Sequence, residues 1–199
     1  METATQNASP EKQSEQNSKG SKLAFEPANL DSNAEAMQER LSNISAREGK
    51  YLTFTLAGED YGIGILKIKE IIGMMPITSV PQTPEFVKGV INLRGKVIPV
   101  VDLRLRFAMS EIDYDDRTCI IVVEIGGRST DIVIGIVVDS VSEVLNIKSE
   151  DIESTPTFGT NLNTDFILGM AKMDGKVKIL LDIDEVLSQE EIHVLENAA

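Results

Sequence analysis

Tryptophan is absent, histidine and cysteine occur once each, and no apolar run approaches the length of a bilayer span. Each scarcity removes a class of protein. A single cysteine, Cys119, rules out an internal disulfide framework and a thiolate metal site. Within the run TCIIVVEI it reads as a small buried hydrophobe. The lone histidine, His193, lies near the end of the chain, far from any Ser or Asp motif, and reads as a helix-surface residue. No G-x-S-x-G, phosphate-binding Gly-Lys loop or H-E-x-x-H motif occurs. Nothing assembles an acid, a base and a nucleophile, so neither catalysis nor a cofactor is expected. The longest apolar stretches, such as 132–138, are broken by glycine and bounded by aspartate, too short to span a membrane. The first twenty residues lack the apolar core of a signal peptide, which makes a cytoplasmic protein the expectation. Positive charge is scarce too. Nineteen Lys and Arg face 32 Asp and Glu, a net charge of -13. That balance excludes nucleic acid and anionic membrane surfaces as partners and leaves other proteins.

What is present falls into two textures. Residues 1–45 open in a stretch rich in Ser, Gln, Asn, Glu and Lys, which predicts a disordered tail. Toward its end Ala34, Met37, Leu41 and Ile44 fall at helical spacing, the mark of a short amphipathic helix. From Tyr51 onward, short β-branched runs alternate with Gly, Asp and Pro, as an all-β barrel or sandwich requires. Two local exceptions are expected: one helical turn at TPEFVKG and a terminal amphipathic helix at DEVLSQEEIHVLENA. The glycines of EIGGR read as a hairpin turn. The acidic DYDDR, lacking the glycine and distal glutamate of a calcium loop, reads as a solvated connection.

The β-rich body repeats itself. Residues 86–103 align without a gap on 166–183, with six identities in eighteen positions, including Gly95-Lys96-Val97 on Gly175-Lys176-Val177 and Asp102 on Asp182. A second block, GIGILKIKEII from Gly62, aligns on GIVVDSVSEVL from Gly135, with Glu70 on Glu143. The order is the same in both copies. Two similar units follow, roughly 50–115 and 118–190, each too small for a large core of its own. Two packed barrels would leave a groove between them, a common place for binding.

The repeat acts as an internal control. Positions alike in both copies answer to the fold, and positions that differ are candidates for function. Arg94, within the stretch GVINLRGKVIPVVDLR, aligns with Asp174, so the fold itself does not need a cation there. Pro99 aligns with Ile179, and proline's missing N–H predicts an edge or a bulge in that strand. For Arg94 two readings stand. It pairs with Glu70 across copy one, or it donates to turn carbonyls and snorkels to solvent.

These motifs resemble one family. FTLAGEDYGIGILKIKEII, TPEFVKGVINLRGKVIPVVDLR and IGIVVDSVSEVL are similar, in one register from about Tyr51 to Glu196, to the CheW family of bacterial chemotaxis coupling proteins. The resemblance implies a mostly β CheW-like domain over 46–196. In it, two SH3-like five-stranded barrel subdomains are followed by a C-terminal helix. It implies an adaptor without catalysis, bridging the cytoplasmic tip of chemoreceptors to the regulatory domain of the CheA histidine kinase, and bound to membrane receptor arrays only through those partners. Carried onto this sequence, Arg94 and Glu70 become coupling residues, with Val141 and Val144 on the receptor side, and Ile68 and Gly89 lie near the kinase contact.

CheW-like domains also occur in CheA and in CheV. The chain has no room for a kinase domain and nothing after Ala199 for a receiver, so a stand-alone coupling protein fits best. An adaptor of a non-flagellar chemosensory pathway, or a detached kinase regulatory domain, would share the same motifs. Two features depart from the family pattern: a long N-terminal extension, and a few extra residues at Ser129 to Asp131 in the GGRSTDIVIG hairpin.

Overall fold

The computed structural model describes residues 47–126, 131–156 and 164–196. Among the described residues, eleven strands form two sheets. One has six strands, β1 (Gly49–Leu56), β2 (Glu59–Gly64), β8 (Ser140–Ile147), β9 (Ile152–Glu153), β10 (Ile167–Met173) and β11 (Lys176–Leu181), in the order β8-β1-β2-β11-β10-β9. The other has five, β3 (Ile68–Gly73), β4 (Val87–Leu93), β5 (Lys96–Asp102), β6 (Cys119–Ile125) and β7 (Ile132–Val138), in the order β3-β6-β7-β5-β4. The mostly β class expected from the sequence is the class observed.

The two sheets are not the two halves of the sequence. The first hairpin of each copy crosses to the other copy's sheet: β1–β2 joins β8–β11, and β6–β7 joins β3–β5. Each crossing ends in a parallel pairing, Leu180 opposite Gly62 in one sheet and Val100 opposite Gly135 in the other. Those two glycines are equivalent in the repeat, and the packing says why. A Cβ on Gly62 would lie 3.0 Å from Leu180 Cδ2, and one on Gly135 would lie 2.7 Å from Ile120 Cγ2. The symmetry extends to the bulges before Gly89 and Gly169, and to the turns in which Asp102 and Asp182 donate their N–H to the carbonyls of Phe86 and Phe166.

Exchange makes the central core the largest. Apolar side chains alternate along β6: Ile120 and Val122 point into the five-stranded sheet's own core, while Ile121, Val123 and Ile125 point to the shared one. The shared cluster holds twenty buried residues drawn from both sheets and from helix α2 (Gln189–Glu196), against six and five for the two local clusters. The space between the sheets is thus filled. Four rings, Phe54, Tyr61, Phe107 and Phe166, stack in series across it at 5.1–6.1 Å.

Several local expectations are corrected. Pro99 lies in β5, which has a neighbour on each side, so it is not an edge strand by order. Its parallel ladder with β7 nevertheless starts one residue later, at Val100. Residues 84–87 make a turn closed by Val87 N–H to the Pro84 carbonyl (2.9 Å), not a helical turn, because β4 starts at once. A four-residue helix α1 (Leu103–Arg106) follows β5, capped by Asp102, whose carboxylate accepts from the N–H groups of Arg104 and Leu105. The terminal helix begins at Gln189, later than its motif. Ser188 and Glu191 form a reciprocal capping box there, and Ile192 and Leu195 are fully buried. The N-terminal tail, its amphipathic segment and Ser129 lie outside the described residues.

Candidate functional site: a cationic turn beside a groove

Leu93 and Lys96 pair as the last rung of the β4–β5 hairpin, leaving Arg94 and Gly95 as a two-residue loop. Both have positive φ, 53° and 86°, the signature of a type I′ turn. The Asn92 side chain accepts the Gly95 N–H at 2.9 Å and braces it. Asp174 and Gly175 occupy the matching turn of the other copy, at φ 52° and 74°. Aspartate tolerates the left-handed region, whereas arginine there costs roughly 1 kcal/mol. The fold therefore works against Arg94, and a strained residue held in place at a solvent-facing turn is a functional candidate.

Arg94 is not inside the apolar run but displayed at its tip, with a side chain 79% exposed. Of the two readings, pairing is the one observed: Nη2 donates to Glu70 Oε2 at 2.6 Å. Glu70 projects from β3 and is the more buried partner, so it holds the guanidinium in place while most of its surface stays open. Beside them opens a groove of about 790 Å3, floored by Val97, Ile98, Pro99 and Val133. Lys69 and Glu124 form a second pair on its rim at 2.8 Å.

Residues 50–191 match the family described as CheW-like domain. The chain belongs to the CheW-like family. It is 43% identical over 150 residues to the chemotaxis protein CheW of Klebsiella aerogenes, covering 75% of this chain and 88% of that protein. It is 34% identical to the chemotaxis protein CheW of Rhizobium meliloti, covering 70% and 88%. Among solved structures, that of the scaffolding protein TtCheW from Thermoanaerobacter tengcongensis superposes with a TM-score of 0.63 at 38% identity, over 72% of this chain and 97% of that one.

Within this CheW-like frame the expected site residues separate. Arg94 and Glu70 come together. Ile68 begins β3 and is half-buried against the shared core. Gly89 is buried, and its role is steric: at φ 135°, a Cβ would lie 2.1 Å from the Thr78 carbonyl oxygen. Thr78 and Val90 exchange two backbone bonds of 2.9 Å at that spot, the counterpart of the β9–β10 pairing. Val141 and Val144 belong to β8 in the six-stranded sheet, opposite Phe54 and Leu52 of β1. Val141 packs toward the core, whereas Val144 is 49% exposed.

Sequence reasoning missed the groove. Its signal was in the repeat, where Ile98 and Val133 align with Lys178 and Asp60. It also missed the bond from Arg104 to Asp139. Cys119 is half-buried, and burial pushes its thiol up, in keeping with an inert side chain.

Proposed function

We propose that this protein is a non-enzymatic scaffold of a chemotaxis signalling complex, coupling the cytoplasmic tip of chemoreceptors to the regulatory domain of the CheA histidine kinase. One observation carries the reading. A CheW-like fold spends backbone strain to display Arg94 at an exposed turn and uses Glu70 to orient it. A residue kept against the preference of its turn, and absent from the equivalent turn, is best explained by a partner that reads it. The exposed Val144 on β8 supports a second, apolar contact on the receptor side, with Val141 on the same strand packed toward the core. Ile68 remains a candidate for the kinase side. Gly89 acts there by shaping the β4 bulge, not by touching a partner. Residues 46–196 form the working unit, and no helix among the described residues is long and apolar enough to cross a membrane. The protein works in the cytoplasm and reaches the membrane through its receptors.

The test is reconstitution. The full chain is mixed with a receptor signalling fragment and the cognate kinase, and phosphate transfer is followed. A ternary complex with altered kinase activity is expected. Neither complex nor change in activity would overturn the adaptor role.

A further inference from the structure

The repeat puts the stretches that lead into β1 and into β6 in matching positions. Tyr51 and Ile120 are equivalent, since they hold the rungs opposite Gly64 and Val137. For the stretch before β6 the contact is visible. Glu111, nine residues before Ile120, reaches β4 and binds Lys88 Nζ at 2.6 Å. Next to it, Arg104 Nη1 donates to the Ser110 carbonyl at 3.3 Å. The chain is thus tied back to the five-stranded sheet just before it enters that sheet as β6.

The six-stranded sheet offers the same place with different chemistry. Leu168 of β10 stands where Lys88 stands in β4, partly buried on the margin of the local core. Leu145 of β8, the rung partner of Tyr51, belongs to the same margin. Ser42 is nine residues before Tyr51, the place of Glu111, and Leu41 and Ile44 flank it at a spacing of three, one side of a helical turn. Where one copy sets an acid against a lysine, the other has two aliphatic residues and a leucine. The point of entry is fixed close by. The Tyr51 hydroxyl donates to the Arg47 carbonyl at 2.6 Å, and a Cβ on Gly169, the residue after Leu168, would lie 3.8 Å from Arg47 Nη1. Ile44 is three residues from Arg47 and Leu41 six, which limits their reach to about 11 and 22 Å. Tethered at that range, the pair has a high effective concentration at the leucine margin, an advantage no separate partner has.

We propose that the chain's own segment 41–46 covers this margin, with Leu41 and Ile44 packed on Leu168 and Leu145 as the apolar counterpart of the Glu111–Lys88 bond. Leu41 and Ile44 lie outside the described residues. The N-terminal extension is thereby anchored at its base to the six-stranded sheet, and the free tail ends before Leu41. The contact is internal to the chain and holds whether or not the protein is an adaptor.

The test is limited trypsin cleavage of the full chain, comparing the Arg40–Leu41 bond with Lys22–Leu23 in the polar stretch. In wild type, Arg40–Leu41 should be cut at least tenfold more slowly than Lys22–Leu23. Leu168→Lys gives β10 the residue that β4 carries and should abolish that protection, whereas Leu168→Met should keep it. Because Leu168 touches a core cluster, Ile44→Asp, which changes no residue of either sheet, is made alongside and should lose the protection too. Circular dichroism establishes that each variant is folded. A folded Leu168→Lys protein in which Arg40–Leu41 stays protected overturns the proposal, as does an Ile44→Asp protein cut like wild type. Equal cutting of the two bonds in wild type also overturns it and leaves the margin to a separate partner. Protection that fades on dilution would assign the margin to the segment of a second copy, and the internal contact would fall with it.

Discussion

Arg104 grips Asp139 with two parallel bonds, Nε to Oδ1 and Nη2 to Oδ2, both 2.5 Å. Arg104 lies in α1 of the first copy, and Asp139 lies where the chain leaves β7 for β8 and changes sheets. Asp139 also accepts the Ala57 N–H at 2.8 Å, and its own N–H reaches the Thr55 carbonyl. The other crossing has the same device with charges reversed: Lys67, between β2 and β3, binds Asp184 at 2.5 Å. Arg104 and Asp184 are equivalent in the repeat. Each crossing is thus fastened by the residue two places beyond a strand-end aspartate of the opposite copy.

The Arg104–Asp139 clamp is mostly buried, so removing one partner strands the other. Asp139→Ala is expected to cost about 3 kcal/mol in urea unfolding. The double variant Arg104→Ala, Asp139→Ala should be less destabilised than the sum of the singles. Strict additivity of the two would show that the clamp does not act as a unit.

Gly89 and Gly169 are equivalent glycines with unequal demands. Gly89 needs positive φ and leaves 2.1 Å to a backbone oxygen, whereas a Cβ on Gly169 would meet a side-chain methyl at 2.8 Å and the Glu153 carbonyl at 2.9 Å. Gly89→Ala should destabilise by about 3 kcal/mol or more, and Gly169→Ala by less, read from chemical denaturation. Any loss of partner binding in Gly89→Ala should track the unfolded fraction. A fully folded Gly89→Ala protein that fails to bind would make Gly89 a contact residue after all.

Arg94→Ala removes a surface ion pair and keeps a Cβ in the left-handed region, so the strain of the turn is unchanged. Only the exposed pair is lost, and stability should stay within about 1 kcal/mol of wild type. Receptor coupling should fall all the same. A large drop in unfolding midpoint would mean that Arg94 is structural.

Tyr114 gives a pH signature. Its hydroxyl donates to the buried Asp102 carboxylate at 3.0 Å, and burial followed by that negative charge raises the phenol above its ordinary value near 10. A raised folded pKa means the contribution is intact below the unfolded value and fades as pH climbs toward the folded one. Wild type should lose stability from about pH 10 upward, and Tyr114→Phe should show a shallower loss over the same range. Parallel melting curves for the two proteins between pH 9 and 11 would contradict the coupling.

The class of fold was legible because alternation and turn glycines are local signals. Gly95 and Gly175 announce their hairpins, and Asp102 and Asp182 their strand ends. The pairing of Glu70 with Arg94 could be posed as one of two readings because the second copy lacked the cation. Hairpin exchange could not, since a repeat shows which segments are alike but not which copy each one packs against. The groove escaped for a related reason. Pro99 was visible as a missing donor, but its effect depends on which strand lies beside it. Ile98 and Val133 look like ordinary core residues until they are set against Lys178 and Asp60.

Hairpin exchange also governs how the protein is born. Tyr61 pairs with Ile179, so 179 − 61 = 118 residues must leave the ribosome before β2 meets β11. At about 5–20 residues per second, that is a wait of roughly 6–24 s, during which β1 and β2 offer the cell an apolar face and an open edge. Neither half can settle first, because each holds strands that complete the other. The six-stranded sheet therefore waits on β11, while the five-stranded sheet has all its strands once Val138 is made.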